Sequence, residues 1–125
     1  MQNSLGTHII LDLYGCDPES LKHVSDVQAV MREASRLGDF TIVTEEYHQF
    51  EPHGVSGATI IQESHLTLHS WPEHRYAALE IFYCGENRNV DTAIAYLTSA
   101  FGASQVERHD IARGIPSKYQ SFVNT

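Results

Sequence analysis

Gly54-Val-Ser-Gly-Ala-Thr-Ile-Ile-Gln-Glu-Ser-His-Leu-Thr-Leu-His-Ser-Trp-Pro-Glu73 decides the fold class of this chain. Gly57 to Ile61 is a short apolar run, and His65 to Trp71 alternates strictly. His65, Thr67, His69 and Trp71 share one face and Leu66, Leu68 and Ser70 the other, the period of a β-strand. The link between the runs is too short for a crossover helix, so the two strands pair antiparallel. That link, Gln62-Glu63-Ser64, contains neither glycine nor proline. A chain that bends without its usual turn residues signals local strain.

Working outward, Trp71-Pro72 ends the alternating strand and Tyr76 to Cys84 forms the next. Both faces of that strand are largely apolar, so both need cover. Thr41 to Gln49 reads as a strand before the Pro52-His-Gly54 turn, and His8 to Tyr14 as a strand near the start. Asp17-Pro18 supplies a helix cap and a proline at the first helical position. Leu21, Val24, Val27, Val30, Met31, Ala34 and Leu37 then recur at helical spacing, with Gly38 as the stop. Ser25 is a candidate cap for a second start, which would separate the first turn from the main helix. Val90, Ile94, Leu97 and Phe101 form the seam of a second helix, and Gln105 to Ile111 adds a strand before a polar tail.

This order predicts an α+β two-layer sandwich, an antiparallel sheet with two main helices on one face. The uncovered face then calls for a sheet-to-sheet homodimer, four layers in the order αββα. The 125 residues fit one domain, 1–125. Sixteen acidic residues against eight basic ones, with lysine only at Lys22 and Lys118, leave no basic stripe for nucleic acid. No apolar run is long enough for a membrane span. The stretch Met1-Gln-Asn-Ser-Leu-Gly6 lacks the regions of a signal peptide, so a cytoplasmic location is expected. Cys16 and Cys84 show no paired spacing, so no disulfide is expected, and Cys16 reads as a small buried residue.

The bend at Glu63-Ser64 has chemical potential. A serine hydroxyl beside its own preceding carbonyl can replace the amide by an ester. Removal of the Ser64 α-proton then expels the Glu63 carboxylate, and hydrolysis of the dehydroalanine leaves a pyruvoyl group. Such a step needs oxyanion donors and a base, and Ser56 and His69 have the right chemistry. Other readings of these residues stay open. Ser64 can be an ordinary polar turn residue, and His65, His69 and Cys84 can be metal ligands, although no ligand-spacing motif is present. A Ser-His hydrolase lacks its Gly-x-Ser-x-Gly elbow.

Gly54-Val-Ser-Gly57, Glu63-Ser-His-Leu-Thr-Leu-His69, Trp71-Pro-Glu73 and Cys84-Gly85 together resemble prokaryotic S-adenosylmethionine decarboxylase, a pyruvoyl enzyme of polyamine synthesis. Leu5-Gly-Thr-His8, His48-Gln-Phe50 and Ile111-Ala-Arg-Gly-Ile-Pro116 extend the likeness over most of the chain. The resemblance implies self-cleavage between Glu63 and Ser64 into residues 1–63 and 64–125, with the pyruvoyl cofactor derived from Ser64 and no metal. It implies processing roles for Ser56 and His69, with His69 as base, and a proton-donor role for Cys84. Phe50 corresponds to an aromatic residue stacking on adenine, Glu73 to the carboxylate on the ribose hydroxyls, and the Leu66 backbone to a neighbour of the nucleoside. The implied substrate is S-adenosylmethionine, decarboxylated for spermidine synthesis through a Schiff base on the pyruvoyl carbonyl. The implied assembly is a homodimer or larger oligomer whose partner subunit completes each site.

His74-Arg75 departs from the pattern, where the family often has tyrosine and a small residue. An added cation there can pair with Glu73, face solvent, favour a substrate with an extra carboxylate or disfavour a sulfonium. The resemblance also implies that pyruvoyl enzymes of this family can act on simple amino acids, so arginine or ornithine decarboxylation is the alternative activity. An unprocessed, non-catalytic paralogue that binds a nucleoside or regulates an active partner is the alternative of a different class, disfavoured because a binding module needs none of Ser56, Ser64, His69 and Cys84.

Overall fold

The computed structural model describes residues 4–87 and 89–123, so Met1 to Asn3 and the last two residues of the tail lie outside the described part. Its elements run β1 (Gly6–Tyr14), a 3₁₀ turn (Pro18–Leu21), α1 (Val24–Leu37), β2 (Ile42–Gln49), β3 (Val55–Ile61) and β4 (Ser64–Trp71). A second 3₁₀ turn (Pro72–His74), β5 (Tyr76–Cys84), α2 (Val90–Ala100), β6 (Gln105–Arg113) and α3 (Pro116–Val123) follow. The strands form one sheet in the order β2-β3-β4-β5-β1-β6, every pairing antiparallel. This is the α+β antiparallel architecture expected, with β1 inserted between β5 and β6. The expected polar tail instead contains α3, a helix with no buried residue. Among the described residues no helix is long and apolar enough to cross a membrane.

Alternation sorts the sheet into two surfaces. Ile9, Leu11 and Leu13 of β1, Leu66 and Leu68 of β4, and Ala77, Leu79 and Ile81 of β5 are buried with Val27, Met31 and Ala34 of α1 and Leu97 of α2. Each fully buried large aliphatic side chain contributes about 1.5–3 kcal/mol, so this shared layer holds the helices to the sheet. The opposite, outer face carries His65, Thr67, His69 and Trp71 and stays partly open, with Trp71 40% and Ile60 41% exposed. On it Tyr14, Tyr76 and Trp71 stack in sequence, with ring centroids 5.2 and 5.4 Å apart.

Tertiary contacts settle the helix ends. Asp17 caps the Pro18–Leu21 turn through the Glu19 N–H, and that turn is separate from α1. The start of α1 is not capped by Ser25. The Val24 N–H donates to Gln49 Oε1 at 2.7 Å, while Gln49 Nε2 donates to the carbonyls of Lys22 (2.8 Å) and Gly54 (3.0 Å). A strand-borne amide thus replaces the local cap and ties α1 to the loop after β2. At the other end Gly38 is right-handed, and Asp39 takes the left-handed conformation, φ 60°.

Two glycines shape the turn-and-strand segment that leads to the site. Gly54 adopts φ 110°, a region L side chains rarely enter, and its carbonyl accepts the Phe50 N–H at 2.9 Å. Gly57 lies under the Tyr47 ring, and a Cβ there would overlap that ring. Tyr47 shares a 2.7 Å hydrogen bond with Thr59, and burial pushes its phenol up to about 12.

Candidate active site

Gln62 and Glu63 alone join β3 to β4, with Ile61 opposite Ser64 in the ladder. Two-residue hairpins favour turns with positive φ at the linking residues, hence glycine or asparagine. Here neither linking residue has positive φ. The distortion appears one position later, at Ser64, with φ 152°. Such a conformation costs a non-glycine residue about 1–3 kcal/mol. The strain expected from the missing turn residues sits on the serine itself.

The carbonyl before Ser64 is held from β5. Cys84 donates to the Glu63 oxygen twice, through its backbone N–H at 3.0 Å and its thiol at 3.1 Å. The Glu63 carboxylate accepts the Thr41 N–H at 3.1 Å, pinning the other side of the link. Two donors on one carbonyl oxygen make the arrangement that stabilises negative charge during acyl transfer. Beside it lies a cavity of about 440 Å³ lined by Asp39, Phe40, Glu63, Cys84, Glu86 and two asparagines.

Ser56 and His69 form a second centre. They face each other across β3 and β4, and Ser56 Oγ lies 2.8 Å from His69 Nδ1. Both line a cavity of about 260 Å³ together with Phe50, His53, Gly54, Ser70, Trp71 and Glu73. Phe50 is 47% exposed, so it is a cavity wall and not core. Glu73 lies on the Pro72–His74 turn, and its Oε1 lies 3.8 Å from His53 Nε2. His53 and Trp71 escaped assignment in the sequence. Trp71 stood within the Trp-Pro-Glu motif, but His53 carried no local signal beyond its place in the Pro52-His-Gly54 turn.

The two centres stand at opposite ends of β4. Five residues of extended chain separate Ser64 from His69, about 16 Å at 3.3 Å per residue. Within one chain, therefore, Ser64, Glu63 and Cys84 meet, Ser56, His69, Phe50 and Glu73 meet, and the groups stay apart. Leu66 joins neither cavity: its side chain is fully buried, and its backbone lies in the ladder between Thr59 and Ile81. The trio His65, His69 and Cys84 is not assembled either, since His69 is bonded to Ser56 and Cys84 to the Glu63 carbonyl. Cys16 is fully buried, and burial pushes its thiol up, as befits a packing residue.

Arg75 does not line the cavity shared by Phe50 and Glu73. It takes a left-handed conformation, φ 51°, and its Nε donates to the Cys16 carbonyl at 2.9 Å. The guanidinium is thereby turned toward the β1 end, and its pairing with Glu73 does not form.

A sequence model of the S-adenosylmethionine decarboxylase family matches residues 7–114. An S-adenosylmethionine decarboxylase proenzyme of Acidithiobacillus ferrooxidans is 48% identical over 111 residues, covering 89% of this chain and 84% of that protein. One from Pyrococcus horikoshii is 34% identical over 123 residues, 98% of this chain and 88% of that protein. The crystal structure of the adenosylmethionine decarboxylase from Aquifex aeolicus superposes with a TM-score of 0.85 at 31% identity, covering 91% of this chain and 94% of that one. With its strained Glu63-Ser64 link and a matching fold, the chain belongs to the S-adenosylmethionine decarboxylase family.

Proposed function

We propose that this chain is a self-processing decarboxylase acting on S-adenosylmethionine, with Ser64 as the source of a pyruvoyl group. The observation that carries the reading is the strained serine whose preceding carbonyl is held by two donors of Cys84. Ser64 Oγ adds to the Glu63 carbonyl carbon, and the Cys84 N–H and thiol hold the resulting oxyanion. The C–N bond breaks, the amine takes a proton, and an ester joins Glu63 to the Ser64 oxygen. A base removes the Ser64 α-proton, and the Glu63 carboxylate leaves with its C–O electron pair. Water then replaces nitrogen on the dehydroalanine, ammonia departs, and the new N-terminus is a ketone.

His69, paired with Ser56, is the base of the right type, but lies too far away in its own chain. General bases act at about 3 Å. A two-fold pairing of outer faces, with the two copies of β4 running in opposite senses, sets the Ser64 end of one chain against the Ser56–His69 end of its partner. The homodimer therefore completes two equivalent sites and covers the open face.

For the decarboxylation, pyruvoyl supplies a carbonyl that binds an amine and draws electrons as the carboxylate leaves. Cys84 holds a thiol proton beside that position, available to the carbon that loses carbon dioxide. Phe50 offers a ring face for a purine, with Trp71 across the same cavity, and Glu73 offers a carboxylate for ribose hydroxyls. Among the described residues no arginine lines this cavity to oppose a sulfonium, Arg75 being turned to Cys16. The aromatic wall with the Glu73 carboxylate favours S-adenosylmethionine over arginine or ornithine, which carry no nucleoside. Intact mass should give fragments 1–63 and 64–125, the second reacting with a carbonyl reagent, and Ser64→Ala should stay whole. Carbon dioxide release from S-adenosylmethionine, compared with arginine and ornithine, tests the substrate. A persistently full-length chain, or faster release from a basic amino acid, would overturn the reading.

A further inference from the structure

The outer face carries a second constellation that this reaction leaves unused. His8 of β1, His65 of β4 and Glu80 of β5 each bring one donor atom within 4.8 Å of the other two. His8 Nε2 lies 3.6 Å from Glu80 Oε2, and His65 Nε2 lies 3.7 Å from Glu80 Oε1. Both separations exceed hydrogen-bond reach, and His8 Nε2 is buried without a hydrogen-bond partner among the described residues. Around a tetrahedral ion with bonds of about 2.0–2.1 Å, neighbouring donors stand about 3.3 Å apart. Each histidine–carboxylate gap needs to close by about 0.3–0.4 Å to reach that spacing, and because the two run to different oxygens the carboxylate must rotate or bind through both. The Thr67 hydroxyl donates to Glu80 Oε1 at 3.2 Å and orients the carboxylate.

We propose that His8, His65 and Glu80 bind one divalent transition-metal ion of the zinc type. Two imidazoles and a carboxylate form a borderline donor set that leaves a fourth position open. One group opposes the ion. Arg113 Nη1 lies 3.4 Å from His8 Nδ1, and its guanidinium lies 5.3 Å from the Phe82 ring centroid. Arginine only donates, so Nδ1 accepts in the metal-free protein and the imidazole proton sits on Nε2. Coordination through Nε2 moves that proton to Nδ1, where it faces the guanidinium. Arg113, on the edge strand β6, must then move away from Nδ1, and its charge weakens the site.

The test is a titration of the untagged, metal-stripped full chain with Co²⁺, read by the visible bands of tetrahedral cobalt, and with Zn²⁺ by calorimetry. One ion per chain is expected. Loss of a ligand costs at least as much as loss of an outer-shell partner, so His8→Asn and Glu80→Gln should weaken binding by more than about tenfold. His109→Asn, on the same face but outside the cluster, should leave binding unchanged. Arg113→Gln should tighten binding, a direction that general damage to the fold does not produce. Glu80→Gln keeps the side-chain shape, so it decides the matter even where His8→Asn fails to fold. Absence of cobalt bands, affinity unaltered in Glu80→Gln, or an equal loss in His109→Asn would each overturn the proposal.

Discussion

Subunit complementation tests the separation of the two centres most directly. Ser64 and His69 stand about 16 Å apart along β4, whereas proton transfer needs about 3 Å. Neither a Ser64→Ala chain nor a His69→Ala chain should cleave efficiently alone. Co-expressed from two plasmids, they should form mixed dimers in which, with the proposed composite site, one site carries both lesions and the other carries none. Random assembly makes about half of all dimers mixed, and each mixed dimer has one intact site. About half of the His69→Ala chains, or a quarter of all chains, should therefore be cut. Intact-mass quantification of the fragment beginning at residue 64 reads this directly. If mixing yields no more cleavage than the separate variants, the base is supplied within one chain and the composite site is wrong.

Three further predictions rest on the same geometry. Ser64→Gly and Ser64→Ala both abolish cleavage, but the glycine variant should be more stable by about 1–2 kcal/mol in urea unfolding, because it relieves the positive φ. Equal stabilities would remove the strain from the mechanism. Cys84→Ala should slow self-cleavage by about 10²-fold, with Cys84→Ser restoring part of the rate as a replacement hydroxyl donor; unaltered cleavage in Cys84→Ala would leave the thiol no role on the carbonyl. Tyr47 has a phenol raised by burial to about 12, so the folded state holds its proton longer than the unfolded chain. Its contribution is complete below pH 10 and falls as pH rises from 10 toward 12, by about 2–3 kcal/mol in total. The difference between the wild type and Tyr47→Phe in unfolding free energy across that window should show this slope, and parallel curves would refute it.

Much of the architecture was legible because it is periodic. The strict alternation of His65 to Trp71 and of Tyr76 to Cys84 sets which side chains reach the core, and the helical spacing of Val27, Met31 and Ala34 does the same for α1. The absence of a turn residue at Gln62-Glu63 located the strain to within one position. Resemblance supplied the candidate roles of Ser56, Ser64, His69, Glu73 and Cys84, because motif spacing along a strand is a local property.

Contacts between distant segments were not legible. Gln49 caps α1 across the loop, so the candidate local cap at Ser25 is unused. Arg75 reaches the Cys16 carbonyl because β1 and β5 pair antiparallel with the end of β1 beside the start of β5, a fact no window around residue 75 contains. His8, His65 and Glu80 meet only because β1 lies beside β5 and β5 beside β4, three strands widely spaced in the chain. Alternation along one strand thus determined which face each residue takes. Strand order, register and the roughly 16 Å length of β4 between Ser64 and His69 decided which of those residues can touch. Side-chain period is a property of the backbone of a single segment, whereas proximity across a sheet depends on how all segments bury their apolar faces together.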